Sequence, residues 1–95
     1  MIQLGLARFL ARRFDAALPP LVLAVQEDPS HPMRQRVLAA CYAHMGRLDE
    51  AREAVTRLRE ITPVVISDAR FLRSPEHREL FRSGLRLAAD EETLT

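Results

Sequence analysis

The sequence predicts an all-α fold of two stacked helical hairpins followed by a C-terminal capping helix. Three observations support this fold class. The chain of 95 residues contains only 3 Gly, and its apolar residues are mostly Ala and Leu, which favour helices. Residues 4–29 match residues 38–63 without a gap. A Ser-Pro-Glu sequence at Ser74 opens a further amphipathic segment, as at the start of a helix.

Composition limits the classes of function. Hydrophobic residues make up 47% and charged residues 28%, so a folded domain is expected. The net charge is +1, although all 14 basic residues are Arg, so no strong field favours nucleic acid or an anionic membrane. Cys41 is the single cysteine, which favours a cytoplasmic location. No apolar run is long enough for a membrane span. The Arg-rich start resembles a transit peptide but lacks the serines.

The internal repeat has a constant offset, which is the distance along the chain from Leu4 to Leu38. The later copy therefore predicts the structure of the earlier one, because repeats of this length are single supersecondary units. The same offset places Leu48 on Phe14, Asp49 on Asp15, Ala51 on Ala17, Val55 on Leu21 and Pro63 on Pro29.

The second copy shows two helical periodicities separated by Gly46, which predicts a hairpin. Asp49 and Glu50 then lie at the positive end of the second helix. The apolar residues of the first helix are Val37, Leu38, Cys41, Tyr42 and Met45. Those of the second are Leu48, Ala51, Val55, Leu58 and Ile61.

The first copy contains two adjacent prolines, Pro19 and Pro20, which align with Glu53 and Ala54 of the second copy. An interior proline removes a hydrogen bond and presses on the carbonyl four residues earlier. We therefore expect a helix that persists but begins late or is bent, from about Ala16 or Leu18.

The C-terminal region is expected to cap the stack. Ser74 is the predicted N-cap, with Pro75 as the first helical residue. The apolar side of this helix would carry His77, Leu80, Phe81, Gly84, Leu85 and Ala88. The preceding linker is either extended at residues 64–66 or a short helix capped by Ser67. The polar end, residues 90–95, is expected to fray.

The length of the period and its small, aromatic, Gly and Pro positions resemble the tetratricopeptide repeat. In the second copy the matching residues are Tyr42, Gly46, Ala51 and Pro63, with Ala39 for the usual glycine and Gln35 for the usual tryptophan. The first copy keeps Leu4, Gly5, Phe14, Ala17, Ala24 and Pro29, but has Arg8 at the aromatic position and Arg12 at the turn glycine. The resemblance implies a right-handed superhelix with repeats at 1–31 and 32–65 and a linker and capping helix at 66–95.

The resemblance also implies a binding groove lined by the first helix of each hairpin, which would hold a peptide or an amphipathic helix of a protein partner. The predicted groove consists of Leu6, Phe9, Leu10, Met33, Arg36, Ala40, Ala43 and His44. Some members of the family clamp a peptide carboxylate with a basic and amide set. Arg36 fits such a set, but Ala40 stands where the asparagine is expected, which argues against a clamp.

The tail from Leu38 to Ala89 further resembles the C-terminal repeats of bacterial adenylate and guanylate cyclases and related regulators. This resemblance implies a role as the C-terminal part of a bacterial signalling protein. No residue of this chain matches the metal or nucleotide site of a cyclase.

Other candidate sites have simpler interpretations. The three histidines lack metal-ligand spacing, and no phosphate-binding loop occurs, so we expect no catalytic residues, metal or cofactor. Cys41 is expected in the core, and His44 at the surface as a groove residue. A stripe of Arg78, Arg82 and Arg86 could bind an acidic partner, with nucleic acid less favoured, but a solvated face is the simpler interpretation. The apolar N-terminal helix, with Leu6, Phe9 and Leu10, could instead form a homodimer.

Overall fold

The computed structural model describes residues 2–89, and this part of the chain is built from α-helices without strands. The all-α prediction is therefore confirmed. The helices, in chain order, are α1 (Ile2–Leu10), α2 (Phe14–Glu27), α3 (Pro32–His44), α4 (Leu48–Ile61) and α5 (Pro75–Ala89). Helices α1 and α2 form the first hairpin, α3 and α4 form the second, and α5 packs mainly on α3.

The backbone repeats with the same offset as the sequence. Helix α2 covers residues 14–27 and α4 covers 48–61, while α1 ends at Leu10 and α3 at His44. The turn between the helices also repeats. Arg12 and Gly46 both have a positive φ, of 63° and 78°. In the two turns the amide of Arg13 bonds the carbonyl of Arg8, and the amide of Arg47 bonds that of Tyr42, each at 2.9 Å.

Helix α2 begins at Phe14 and continues through Pro19 and Pro20. The expectation of a start at Ala16 or Leu18 is therefore wrong. Pro20 cannot donate to the carbonyl of Ala16, but the guanidinium of Arg8 does so instead, at 3.0 Å. This external donor satisfies an acceptor that the proline leaves open, so the helix retains its first turn.

The core lies between the helices of both hairpins and α5. Small residues let the helices approach closely: Ala17, Ala24, Ala39, Ala40, Ala51 and Ala54 are all buried. The larger core side chains are Phe9, Leu21, Val37, Val55, Leu58, Phe81 and Leu85. The apolar stripes predicted for α3 and α4 are thus confirmed at their centres, whereas Tyr42, Met45, Leu48 and Ile61 are half-buried.

The linker at residues 62–74 contains no helix, so the alternative of a short helix capped by Ser67 is wrong. The hydroxyl of Ser67 instead accepts a bond from the amide of Ala69, a residue with a positive φ of 59°. Ser74 caps α5 as expected, because its hydroxyl accepts from the amide of His77 at 3.3 Å. The expected fraying at residues 90–95 lies outside the described residues.

Candidate functional site

Helix α5 lies on the predicted groove. A Cβ atom built on Gly84 would lie 2.9 Å from both the Cβ of Ala40 and the Cδ2 of His44. Only a glycine fits at such distances, so the lack of a side chain at Gly84 brings α5 directly onto α3. Since Leu80 lies next to His44 and Gly84 also reaches Ala40, α5 runs antiparallel to α3.

A cluster of aromatic rings joins α5 to both hairpins. The ring of Phe81 meets the ring of Phe9 edge to face, with centroids 6.4 Å apart. Phe9 in turn packs against Phe14 of α2, at 5.6 Å. His44 stacks on Phe14, with centroids 5.1 Å apart and planes inclined by 10°. Edge-to-face and stacked pairs of this kind stabilise a fold beyond the area that they bury.

His44 is half-buried rather than at the surface, so that prediction is wrong. Its Nε2 donates a bond of 2.7 Å to the carbonyl oxygen of Leu80. The reason is that α5 covers the side of α3 that was predicted to be an open groove. His44 therefore acts as a polar anchor between the predicted groove and the main chain of α5.

Arg36 is the second polar anchor of the predicted groove. Its Nε donates to the carbonyl of Val65 at 3.1 Å, and its Nη2 donates to the carbonyl of Val64 at 2.6 Å. Burial beside the linker lowers the pKa of Arg36 below its ordinary value. Arg36 and His44 thus both bind main-chain carbonyl oxygens of the segment that follows α4.

The remaining predicted groove residues differ in exposure. Phe9, Ala40 and Ala43 are buried, with exposed fractions of 0%, 0% and 5%. Leu6, Leu10 and Met33 are half-buried and pack against the core. Phe9, Ala40 and His44 therefore lie against α5, and Arg36 lies against the linker. That the eight residues form a binding groove stays a prediction.

The N-terminal surface that could pair two copies is less open than expected, because Phe9 is fully buried beneath Phe81. Leu4 and Leu23 of the first hairpin remain about half exposed, at 52% and 53%. Homodimerisation through this end stays a prediction.

The three arginines of the predicted stripe have separate surroundings. Arg78 donates to the carbonyls of Leu72 and Arg73, and so fastens the start of α5 to the linker. Arg86 pairs with the carboxylate of Glu79 at 2.5 Å. Arg82 is half-buried, and its Nε finds no hydrogen-bond partner within residues 2–89. Two of the three guanidiniums are thus already engaged by this chain, and binding of an acidic partner by the stripe stays a prediction.

Cys41 is fully buried, and its thiol lies 3.4 Å from the carbonyl oxygen of Phe14. Burial raises the pKa of the Cys41 thiol to about 11. A thiol in this environment is a core residue and a poor nucleophile.

Metal clusters and membrane-spanning helices are both absent from the described part of the chain. Residues 2–89 hold no group of three or more His, Cys, Asp or Glu side chains placed to bind a metal ion. Within the same range, none of the helices has the length and apolar character to cross a membrane.

The coverage of the predicted groove by α5 was not predicted from the sequence. Gly84 in the middle of an otherwise apolar helical stripe was the available signal, because glycine weakens a helix unless a close approach requires it. The pairing of Arg8 with Ala16 was also missed. The sequence feature that could have indicated this pairing is that Arg8 and Pro20 both differ in type from the matching residues of the second copy, Tyr42 and Ala54.

Comparison with known proteins gives a match at the level of the family. The family model for the tetratricopeptide repeat matches residues 8–71, which is more than half of the chain. Searches of curated proteins and of solved structures gave no match. The family match spans both turns and the whole of α2, α3 and α4, which include the elements that repeat along the chain. The chain therefore belongs to the tetratricopeptide repeat family.

Proposed function

We propose that this protein is a non-enzymatic interaction module whose predicted groove receives an amphipathic helix. Membership of the tetratricopeptide repeat family supports a scaffold for protein partners. The observation that supports a helix as the occupant is α5, which packs on α3 with Leu80, Phe81, Leu85 and Ala88 buried. A surface that accepts one amphipathic helix in this register has the shape to accept another.

The polar anchors of the groove support recognition of a main chain rather than of particular side chains. Arg36 donates to carbonyl oxygens of the linker and His44 to that of Leu80 in α5, and a carbonyl within a helix keeps a second lone pair for such a donor. The apolar surface beside Phe9 and small contact residues such as Ala40 then select the side chains. This arrangement explains why the groove needs no asparagine at position 40, because no terminal carboxylate has to be clamped.

The test is a selection of short amphipathic helices, displayed as a library, against the whole chain. Binding sites are then mapped by chemical-shift changes of the backbone amides. We expect the changes to concentrate on α1 and α3, including Leu6 and Leu10. Selected helices that map instead to α2 and α4 would contradict the proposal.

A matched pair of variants sharpens this test. Leu10→Glu places a charge on the half-buried wall of the groove, whereas Ala7→Glu places one on an exposed position of the same helix. Only the first should weaken binding of the selected helices. Circular dichroism of both variants verifies that the helices persist.

We also propose that this chain is the C-terminal part of a larger protein. The tail's likeness to the C-terminal repeats of bacterial cyclases supports a place at the end of a cytoplasmic signalling protein. Identification of the full-length product in cells, by mass spectrometry of peptides upstream of Met1, tests this setting. A product that starts at Met1 would contradict it.

A further inference from the structure

We infer that α5 is a built-in occupant of the groove, and that a partner helix binds by taking the place of α5. This inference rests on the proposed function, because it concerns how access to the same groove is controlled. It follows from the position of α5, its contact surface and its attachment to the rest of the fold.

The position of α5 differs from that of a further repeat helix. Between the two hairpins, α3 packs chiefly against α2 and only slightly against α1. By contrast, α5 packs chiefly against α3, less against α4, and also contacts α1. Helix α5 therefore does not repeat the way in which α3 packs on the first hairpin. It lies along α3, with a smaller contact on α4 and the smallest on α1, over the surface where a ligand of the predicted groove would lie.

The contact surface of α5 is specific. Phe81 packs against Phe9 of α1, and Gly84 passes over Ala40 and His44 of α3. The opposite side of α5 is exposed, with Leu87 at 50%. A competing helix needs the same pattern. Such a helix carries Leu and Phe in succession, as at positions 80 and 81. It then carries a small residue followed by Leu, as at 84 and 85, and a second small residue, as at 88.

The attachment of α5 allows it to leave without unfolding the hairpins. The linker at residues 62–74 has no helix, and a chain of this length spans roughly 40 Å when extended. Ala69 holds a positive φ of 59°, a strain for a non-glycine residue that a rearranged linker would relieve, although Ala69 and Leu72 are buried and their burial opposes release. The hairpins keep core contacts of their own, which include buried Ala17, Leu21, Val55 and Leu58.

The experiment measures binding of a fluorescent peptide of residues 74–89 to the whole chain by anisotropy. Leu85→Glu places a charge on the buried side of α5 and should free the groove, whereas Leu87→Glu alters the exposed side of the same helix and serves as the control. We expect Leu85→Glu to bind the peptide about ten-fold or more tightly than the wild-type chain, because the apparent affinity scales with the open fraction. Leu87→Glu should bind like the wild type.

A second variant, Gly84→Leu, keeps the test decisive. Its side chain would collide with the backbone of Ala40, 3.0 Å from the new Cβ, and should free the groove in the same way. In both variants, persistence of the hairpins is verified by continued protection of the Cys41 thiol, which faces α2 rather than α5.

The outcomes separate the two proposals. Equal binding by wild type, Leu85→Glu and Gly84→Leu would overturn control by α5 but leave the groove function standing. A lack of binding by the folded open variants would overturn the groove function itself. A wild-type dimer in light scattering that becomes a monomer with Leu85→Glu would show that α5 occupies a second copy, and would overturn the intramolecular arrangement.

Discussion

The guanidinium of Arg8 donates a hydrogen bond of 3.0 Å to the carbonyl oxygen of Ala16, which is the carbonyl that Pro20 leaves without its helical donor. In the second hairpin the corresponding residues are Tyr42 and Ala54, an aromatic ring and a residue with an ordinary amide. The two departures of the first hairpin therefore belong together, because the arginine supplies the hydrogen that the proline lacks.

This relationship predicts a strong energetic coupling between Arg8 and Pro20. We expect Arg8→Ala to lower the free energy of unfolding by about 1–3 kcal/mol, since the part-buried carbonyl of Ala16 then loses its donor. In a chain that carries Pro20→Ala, the new amide takes over this carbonyl, and Arg8→Ala should cost clearly less. Urea unfolding of the four chains of the double-mutant cycle measures the coupling.

Arg13→Ala is the control for this cycle, because Arg13 is exposed and should change stability by no more than about 0.5 kcal/mol. An equal cost of Arg8→Ala with and without Pro20 would show that the contact does not compensate for the proline.

The turn of the first hairpin holds Arg12 at a φ of 63°, where the second hairpin has Gly46. We expect Arg12→Gly to raise the free energy of unfolding by about 1 kcal/mol, because glycine adopts this conformation without a steric cost. Thermal unfolding measures the change. Arg12→Ala keeps the steric cost while removing the charge, so it should bring no gain, and a gain of equal size would point to charge instead.

The opposite substitution at the second turn, from glycine to a residue with a side chain, is expected to have the opposite effect on stability. A Cβ on Gly46 would have no atom within 4 Å among the described residues, so only the positive φ of 78° opposes a side chain there. Gly46→Ala should therefore destabilise the protein by about 1 kcal/mol. A neutral result would mean that the turn relaxes to a different conformation, which loss of protection of the Arg47 amide in hydrogen exchange would reveal.

Gly5 and Leu21 are matched in size across the first hairpin. A Cβ on Gly5 would lie 2.6 Å from the Cγ and Cδ2 of Leu21, so Gly5→Ala should destabilise by about 1–3 kcal/mol despite its higher helix propensity. The offset of the repeat places Ala39 and Val55 at these positions in the second hairpin. Leu21→Val should therefore restore part of the stability that Gly5→Ala removes, as measured by denaturant unfolding. A double variant with the summed cost of both changes would contradict this matching.

The thiol of Cys41 is expected to resist thiol–disulfide exchange with Ellman's reagent at pH 8 in the folded protein and to undergo this exchange rapidly in urea. Burial raises its pKa to about 11, above its ordinary value of 9.0. Because the folded state keeps the proton, the thiol's contribution to stability is complete below pH 9 and is lost as the pH rises toward 11. Ellman's reagent follows the reaction, and rapid labelling of the folded chain at pH 8 would refute the buried placement.

The repeat in the sequence predicted most of the fold, because equal spacing of apolar and small residues forces equal helices. The turn at Gly46 and the cap at Ser74 were also predictable, since each depends on local chemistry. The start of α2 was not predictable, because the hydrogen bond from Arg8 to Ala16 joins two helices and the periodicity within either helix does not reveal it.

Some neighbours within the predicted groove were predictable, but the helix that covers them was not. Phe9, Ala40 and His44 do lie together, as the repeat implies. The path of α5 depends on the irregular linker, whose direction follows from the contact of Arg36 with the distant carbonyl of Val64 and from the contact of Arg78 with the nearby carbonyl of Leu72. Periodicity carries no information on such long-range contacts, so the side of the stack that α5 covers could not be predicted.

The family match ends at residue 71, four residues before α5 begins at Pro75. A fragment expressed to that boundary would expose the apolar face around Phe9 and Ala40, which α5 covers in the whole chain. Such exposed faces bind chaperones, detergents and one another without specificity. Interaction screens are therefore best made with residues 1–95, and a partner captured by the shorter fragment should be accepted only if the whole chain with Leu85→Glu, but not with Leu87→Glu, captures it too.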